Sequence, residues 1–399
     1  MNNTLYIKKA DIKSDDKYAI LEVEIEVSGQ PNSLWYKVPV KYSEFLTTET
    51  CDAYVVAFLI YAMNKGLDIK SNTPISEKLY FSLTKYLIPY LANINPELKK
   101  VNIFADTIVP EWNPTHSGTG ISGGVDSLST IIYHGKEESC SSYRIDTLTL
   151  LNTGYYGNEE NNSENYSKFV TRAKSFADAH RYSFLTIDSN ISNLTKYNFL
   201  SAHTYLSCST IMVLQKYFRT YHYASGYPVF DFKTDFVDPA YYDVFLLDCI
   251  STDTLKYISS CTTMSRVEKT ELIANHPDIA KSLYVCFSGN PERNCGRCEK
   301  CVRTLLAYDS LGRLNEASLM FDVEVYKKHR LHYIGYMLRN RRSNCYYKEN
   351  FNSFKANHRQ IPVLSRLFIF IPCRFEMITL KGKFLSSNFG KMVYKLLKG

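Results

Sequence analysis

Acid nearly vanishes from the last part of this chain. From Lys327 onward the 399-residue sequence holds 16 lysines and arginines, opposed only by Glu349 and Glu376. A stretch so one-signed suits contact with phosphate, RNA or anionic lipid; a solvated basic face is the plain alternative. Long apolar runs are missing as well. "YVVAFLIYAM" (54–63) is too short to span a bilayer, and "VLSRLFIFIPCRFEMITL" (363–380) is broken by Arg366 and Arg374. The opening "MNNTLYIKKADIKSDD" has no apolar stretch behind its basic residues, which speaks against a secretory signal. Eleven cysteines without such a signal point to a reducing compartment, where thiols bind metal or pack. The expectation is a cytoplasmic protein with no transmembrane segment. Repeats and low-complexity tracts are absent too. With 45% hydrophobic and 22% charged residues the chain reads as globular, long enough for two domains or one enlarged one.

Residues 4–41 alternate as strands do, with "ILEVEIEV" (20–27), a turn at "SGQPNS" and "LWYKVPV" (34–40). Between Cys51 and Leu98 the pattern becomes helical, and "KKVNIFADTIV" offers a further strand. These residues, 1–112, read as a small α+β domain. The middle, 113–305, alternates strand and helix. Strands are expected at 117–121, 145–154, 182–190, 221–226 and 282–289; helices follow at 127–135, 166–181, 201–220 and 265–276. Such alternation implies a parallel sheet covered on both faces, with ligands bound beyond the carboxyl ends of the strands where strand order reverses. Residues 306–399 read as a basic, mainly helical extension. Its apolar segment 363–380 is expected to pack on the N-terminal domain; closing over the active site or lying on a membrane surface are the alternatives.

The stretch "SGGVDS" follows the first of those central strands. Gly123 and Gly124 permit positive φ and let backbone N–H groups approach a ligand; Ser122 and Ser127 add hydroxyls. The helix beginning near Asp126 points its dipole at the same spot, which suits a phosphate or pyrophosphate. A carboxylate beside phosphates needs a cation between them, so Asp126 reads as a Mg²⁺ ligand. Neither the Walker pattern nor the dinucleotide G-x-G-x-x-G is present. Without a ligand the same residues would make an N-capped helix after a glycine turn.

A second dense signal is "CFSGNPERNCGRCEKC". Cys286, Cys295, Cys298 and Cys301 give a C-x₈-C-x₂-C-x₂-C set, and four thiolates so close favour tetrahedral Zn²⁺ with no open position. An iron–sulfur cluster is the alternative from the ligands alone. Arg266 and Lys269, at i and i+3 of "SRVEKTELI", fall on one helical face, and an exposed amphipathic helix would look the same.

Ser122 to Ser127 resemble the PP-loop of the N-type ATP pyrophosphatases. Loop and cysteines in this order resemble the 7-cyano-7-deazaguanine synthase (QueC) family, over about 117–305. The resemblance implies a doubly wound, five-stranded parallel sheet of the HUP, adenine nucleotide alpha hydrolase-like, kind. It implies that Ser122, Gly123, Gly124, Val125, Asp126 and Ser127 hold the phosphates of ATP with Mg²⁺. Lys269 and Arg266 would help hold the leaving pyrophosphate, and the four cysteines would hold structural Zn²⁺. Asn152 and Tyr155, after the second central strand, occupy a region that lines the adenosine pocket in related folds. Departures are the long flanking segments and "SGYPVFDF" (225–232), which keeps Gly226, Tyr227 and Pro228 of the family's G-Y-P-D-C stretch but then has Val229 and Phe230. They favour another small-molecule substrate.

The expected activity is adenylation of a carboxylate or amide oxygen, followed by attack of ammonia or an amine; free ammonia or a separate nitrogen donor would serve, and a homo-oligomer is compatible. One alternative is a tRNA base-modifying enzyme for thiolation or amination. There the basic tail would bind RNA, and Cys208, Cys249 and Cys261 are the thiol candidates, though Cys208 and Cys249 fit core positions better. Another is a non-catalytic nucleotide-binding regulator. His203 reads first as a structural histidine, and His116 and His134 have no partner visible in the sequence.

Overall fold

Strands β1 (Thr4–Ile7), β2 (Asp11–Ser14), β3 (Tyr18–Val27) and β4 (Gln30–Pro39) open the chain. The computed structural model describes residues 3–153, 159–234, 237–286, 293–373 and 375. Ala19, Leu21, Val23 and Ile25 of β3 alternate inward, as a strand with one covered face requires. Ser28 (φ 51°) and Gly29 (φ 86°) alone join β3 to β4, because two left-handed residues match the strand twist. The turn expected over 28–33 is therefore two residues long, and β4 begins at Gln30.

Two compact units make up the chain: residues 1–122 with 126–263, and residues 123–125 with 264–399. In the first, α1 (Asp52–Lys65), β5 (Asp68–Ser71), β6 (Ile75–Ser76), α2 (Glu77–Ser82) and α3 (Ile88–Ile94) lead to β7 (Ile103–Phe104) and β8 (Thr107–Ile108). A π-helical turn at Leu83–Leu87 joins α2 to α3. Then follow β9 (His116–Gly120), α4 (Val125–Tyr133), β10 (Thr147–Asn152), α5 (Glu159–His180), β11 (Ser183–Ser189), α6 (Ile191–Thr195), α7 (Phe199–Met212), β12 (Phe218–Ala224), α8 (Asp243–Cys249) and β13 (Lys256–Ser260).

Eleven of these strands form one sheet in the order β13-β12-β9-β10-β11-β4-β3-β1-β5-β7, with β2 on β3; β6 and β8 pair separately. Strands β9 to β13 pair in parallel throughout. The N-terminal strands join them where β4 runs antiparallel to β11, through Lys37 opposite Asp188 and Tyr36 opposite Ser189. One apolar core runs from Leu5 and Ile7 to Leu255 and Tyr257 across that junction. Helix α1 is buried on nearly all sides, so its sequence lacks a polar stripe. Buried Asp52 at its start accepts from the Ser76 amide (2.8 Å), the Ser76 hydroxyl (2.5 Å) and Gln215 Nε2 (3.0 Å), which offsets the desolvation of its carboxylate.

Two expectations are corrected. The helix expected over 201–220 stops at Met212, since Phe218 already begins β12. The last parallel strand is β13, not 282–289. Residues 283–286 form no strand, and 287–290 lie outside the described residues. On either side of Tyr284 the backbone bonds to a side chain instead: Val285 N–H donates to Asn294 Oδ1 (2.8 Å), and Asn294 Nδ2 donates to the Leu283 carbonyl (2.9 Å).

The second unit contains α9 (Arg266–Ala274), α10 (Pro277–Ala280), α11 (Glu299–Ser310), α12 (Val323–Asn340), α13 (Cys345–Ala356) and a 3₁₀ segment Val363–Phe368. Ser265 and Glu268 form a capping box at the start of α9. Buried Asp309 ties α11 to α12 by accepting from Arg330 Nε (2.6 Å) and the Tyr326 hydroxyl (2.9 Å). The chain is thus an α/β protein with a large mixed sheet, and among the described residues no helix is long and apolar enough to cross a membrane.

Candidate functional site

Among the parallel strands, β9 is first in the chain yet lies centrally, with β10 and β11 on one side and β12 and β13 on the other. Strand order reverses at its carboxyl end, which is where doubly wound sheets bind ligands. The Ile121 N–H still pairs with the Thr149 carbonyl (2.8 Å), and the glycine loop follows at once. Gly123 is left-handed (φ 75°), and a Cβ there would lie 3.3 Å from the Ser282 carbonyl oxygen. Its own carbonyl accepts from the Tyr284 N–H (2.7 Å). The Ser122 N–H donates to Ser127 Oγ (3.2 Å), so loop and first helical turn hold each other. Val125 is buried and anchors α4, whereas Asp126 is half-buried in its first turn. Ser129 and Thr130 donate back to the Asp126 carbonyl, both at 2.9 Å. Half-buried Asn152 closes β10 opposite Asp188; Tyr155 lies outside the described residues.

Helix α4 rests on histidines. The His134 ring stacks on that of buried His222 in β12, with centroids 4.2 Å apart. His222 Nε2 donates to the Tyr143 carbonyl (2.7 Å) and Nδ1 meets Ser260 Oγ (3.0 Å), an arrangement that suits the neutral ring. Burial, helped by His134, pushes the His222 pKa down to about 4. Burial lowers that of His134 as well, against its bond with Glu138 (3.3 Å). His116 bonds Asp146 (3.2 Å) and stacks on Tyr217.

The neighbouring strand end carries a polar cluster absent from the sequence reading. His203 Nδ1 meets the Tyr223 hydroxyl (2.9 Å) and Nε2 meets Asp238 Oδ1 (3.2 Å). The Tyr227 hydroxyl donates to Asp238 Oδ2 (3.3 Å), and its ring stacks on Tyr241 at 3.8 Å. His203 is therefore a satisfied structural histidine, as expected. Tyr227 of the "SGYP" stretch stands beside it beyond the carboxyl end of β12, on the sheet edge that also carries the glycine loop. His203 and Tyr227 stand out in the sequence; Asp238, just before a short proline-started turn, carries only an ordinary turn signal.

In the second unit the Sγ atoms of Cys286, Cys295, Cys298 and Cys301 all lie within 4.8 Å of one another. Cys286–Cys298 and Cys295–Cys301 are each 3.9 Å apart, too far for disulfides. Tetrahedral thiolates about 2.3 Å from a zinc ion stand about 3.8 Å apart, so this spacing fits. The four thiols could hold a metal ion such as zinc. Cys298 caps α11 and Cys301 is in its first turn, where the dipole favours thiolates. The Cys298 N–H points at Cys295 Sγ (3.4 Å). Cys295 is drawn down to about 6: its bond with Cys286 pulls upward, but those with Cys298 and Cys301 outweigh it. Gly296 turns the chain at φ 67°, and a Cβ there would stand 2.7 Å from the Asp322 carbonyl oxygen. Asn294, unremarked in the sequence, staples the cluster's approach: its Nδ2 also donates to the Met320 carbonyl (3.1 Å).

Lys269 is buried on α9 rather than displayed on an amphipathic face. The Arg266 guanidinium lies 5.3 Å over the Tyr346 ring, which Arg303 also approaches (4.2 Å), and the Arg266 N–H donates to Glu349 (2.8 Å). Cys208, Cys249 and Cys261 are all buried. Burial holds Cys208 far above the ordinary thiol range and raises Cys249 to about 12, which makes both poor nucleophiles. Comparison with protein families, with curated proteins and with solved structures finds no match for this chain.

Proposed function

We propose that this protein is an ATP pyrophosphatase of the PP-loop kind, with a QueC-like loop and cysteine pattern but a different small substrate. The observation that carries the reading is the placement of Ser122–Ser127 at the reversal of strand order, directly before α4. Strands β9 to β13 would then be the five-stranded, doubly wound HUP-like sheet, and ATP would lie across their carboxyl ends. Ser122, Gly123, Gly124 and the first amides of α4 would receive the phosphates, with left-handed Gly123 making the turn that leads into the helix. Asp126, half-buried in that first turn, would hold a Mg²⁺ ion, which supplies charge neutralisation for the phosphates.

In the reaction an oxygen of a substrate carboxylate or amide attacks the α-phosphorus, and the bond to the bridging oxygen breaks to release pyrophosphate. Ammonia or an amine then displaces AMP. Lys269 is retained as a charge for the leaving group; Arg266 is not, because its guanidinium packs on Tyr346. Zinc on the four cysteines would have no open coordination position, so its part would be to hold the fold. Burial of Cys208, Cys249 and Cys261 works against a thiolation mechanism.

ATP–pyrophosphate exchange tests the reading, run separately with a small-metabolite fraction and with bulk tRNA. Stimulation by the metabolite fraction is expected. Asp126→Ala should lower exchange by about 10²–10³-fold with the fold intact, in line with loss of one electrostatic partner of a transition state. Full exchange by that variant would sink the loop assignment. Stimulation by tRNA alone would make this an RNA-modifying enzyme, and nucleotide binding without exchange would leave a regulator.

A further inference from the structure

Residues 363–371, beyond α13, turn an apolar surface outward. The 3₁₀ segment Val363–Phe368 sits on α12 at Gly335, where a Cβ would stand 2.7 Å from the Ser365 carbonyl oxygen. His332 Nε2 meets the Ile371 carbonyl (2.9 Å), and Arg339 donates to that of Ile369 (3.3 Å). Ser365 and Cys373 are buried. This side packs on α12. The other does not: Val363, Leu364, Leu367 and Phe370 are 61 to 88% exposed. Single exposed apolar residues are ordinary, but four large ones within eight positions form a patch that marks an interaction site.

The charge around the patch has one sign. Lys355, Arg359 and Arg366 are exposed, and no acid occurs from 350 to 373. A symmetric contact with a second copy would set these cations against one another. We propose that this face docks on an anionic lipid bilayer, with Val363, Leu364, Leu367 and Phe370 entering the acyl boundary and Arg366 lying among headgroup phosphates. An apolar surface plus a basic one supplies the two signals that stable interfacial anchoring needs.

The full chain is sedimented with vesicles of phosphatidylcholine alone and with about 30% phosphatidylglycerol, an anionic surface of cellular order. Binding is expected on the anionic vesicles only, weakening as salt rises. The triple variant Leu364→Glu, Leu367→Glu, Phe370→Glu should bind about tenfold more weakly or worse. Because all three side chains are exposed, its circular dichroism and Tm should match the parent. Arg366→Glu should weaken binding less. Three results would overturn the proposal: no partition onto anionic vesicles, equal partition of parent and triple variant (the basic tail acting alone), or a solution dimer broken by the triple variant with no lipid binding.

Discussion

The glycine loop and the cysteine cluster are both tight reversals that run into a helix N-terminus, yet they are held in opposite ways. Strand β9 enters the loop paired on both sides, so the sheet fixes its register, and the Ser122–Ser127 bond ties the loop to the helix that follows. Residues 283–286 enter the cluster without a strand, and beside an isolated backbone bridge from Asn294 to Phe321 the scaffold there is made of side chains: Asn294 on three backbone groups and four thiols on one another. Where a sheet runs, backbone pairing fixes the chain; where none runs, side chains take a larger share of the scaffold.

The largest effect should therefore come from the metal. The purified chain is expected to carry about one equivalent of zinc, and chelation or Cys301→Ser should cost roughly 5 kcal/mol or more, as structural zinc is coupled to folding. Limited proteolysis should then cut near Asn294 to Cys301, while hydrogen exchange in β9, β10 and β12 stays slow. A metal-free chain with the same Tm and the same protease resistance would erase the contrast between the two sites.

A smaller effect separates the sites by pH. Burial holds His222 at about 4 in the folded chain against about 6.5 unfolded, so the unfolded state binds more protons between those values. Stability is complete above pH 6.5 and falls as pH drops toward 4, by about 3 kcal/mol in total. His222→Gln keeps a donor for the Tyr143 carbonyl and an acceptor for Ser260 without titrating. Its stability should fall less than the parent's between pH 7 and pH 5, measured by denaturant unfolding. Parallel pH profiles would show that the histidine pair under α4 does not govern this side of the molecule.

The two sites were also unequally legible. The loop combines glycines, hydroxyls and an acid before an apolar helix, so local rules suffice to place it. The cysteines announced themselves by spacing. Their scaffold did not: "SLYVCF" alternates like a strand, and nothing local says that Asn294 takes its backbone groups. Strand β13, "KYISS", is short and polar and was missed, because its partner β12 rather than its own composition makes it a strand. That β4 continues the sheet past β11 rests on two residue pairs far apart in sequence. The Asp238–His203 cluster likewise joins residues from separate elements, which pattern reading cannot bring together.

The finest comparison uses one residue type at both sites. Gly123 (φ 75°) and Gly296 (φ 67°) are both left-handed, so alanine at either costs about 1–2 kcal/mol in backbone strain. Their surroundings differ. A Cβ at Gly123 meets the Ser282 carbonyl oxygen at 3.3 Å, which a shift of a few tenths of an ångström relieves, whereas at Gly296 it meets the Asp322 carbonyl oxygen at 2.7 Å. In the metal-bound chain Gly296→Ala should thus destabilise more than Gly123→Ala, by about 1–2 kcal/mol, the scale of an overpacked contact. Chelation releases the turn at Gly296 but not the one at the end of β9. The excess cost of Gly296→Ala should then shrink toward zero while that of Gly123→Ala stays. Denaturant unfolding of both variants, with and without chelator, measures this; an excess that survives chelation would mean that the Gly296 turn is held by the protein fold and not by the thiol cluster.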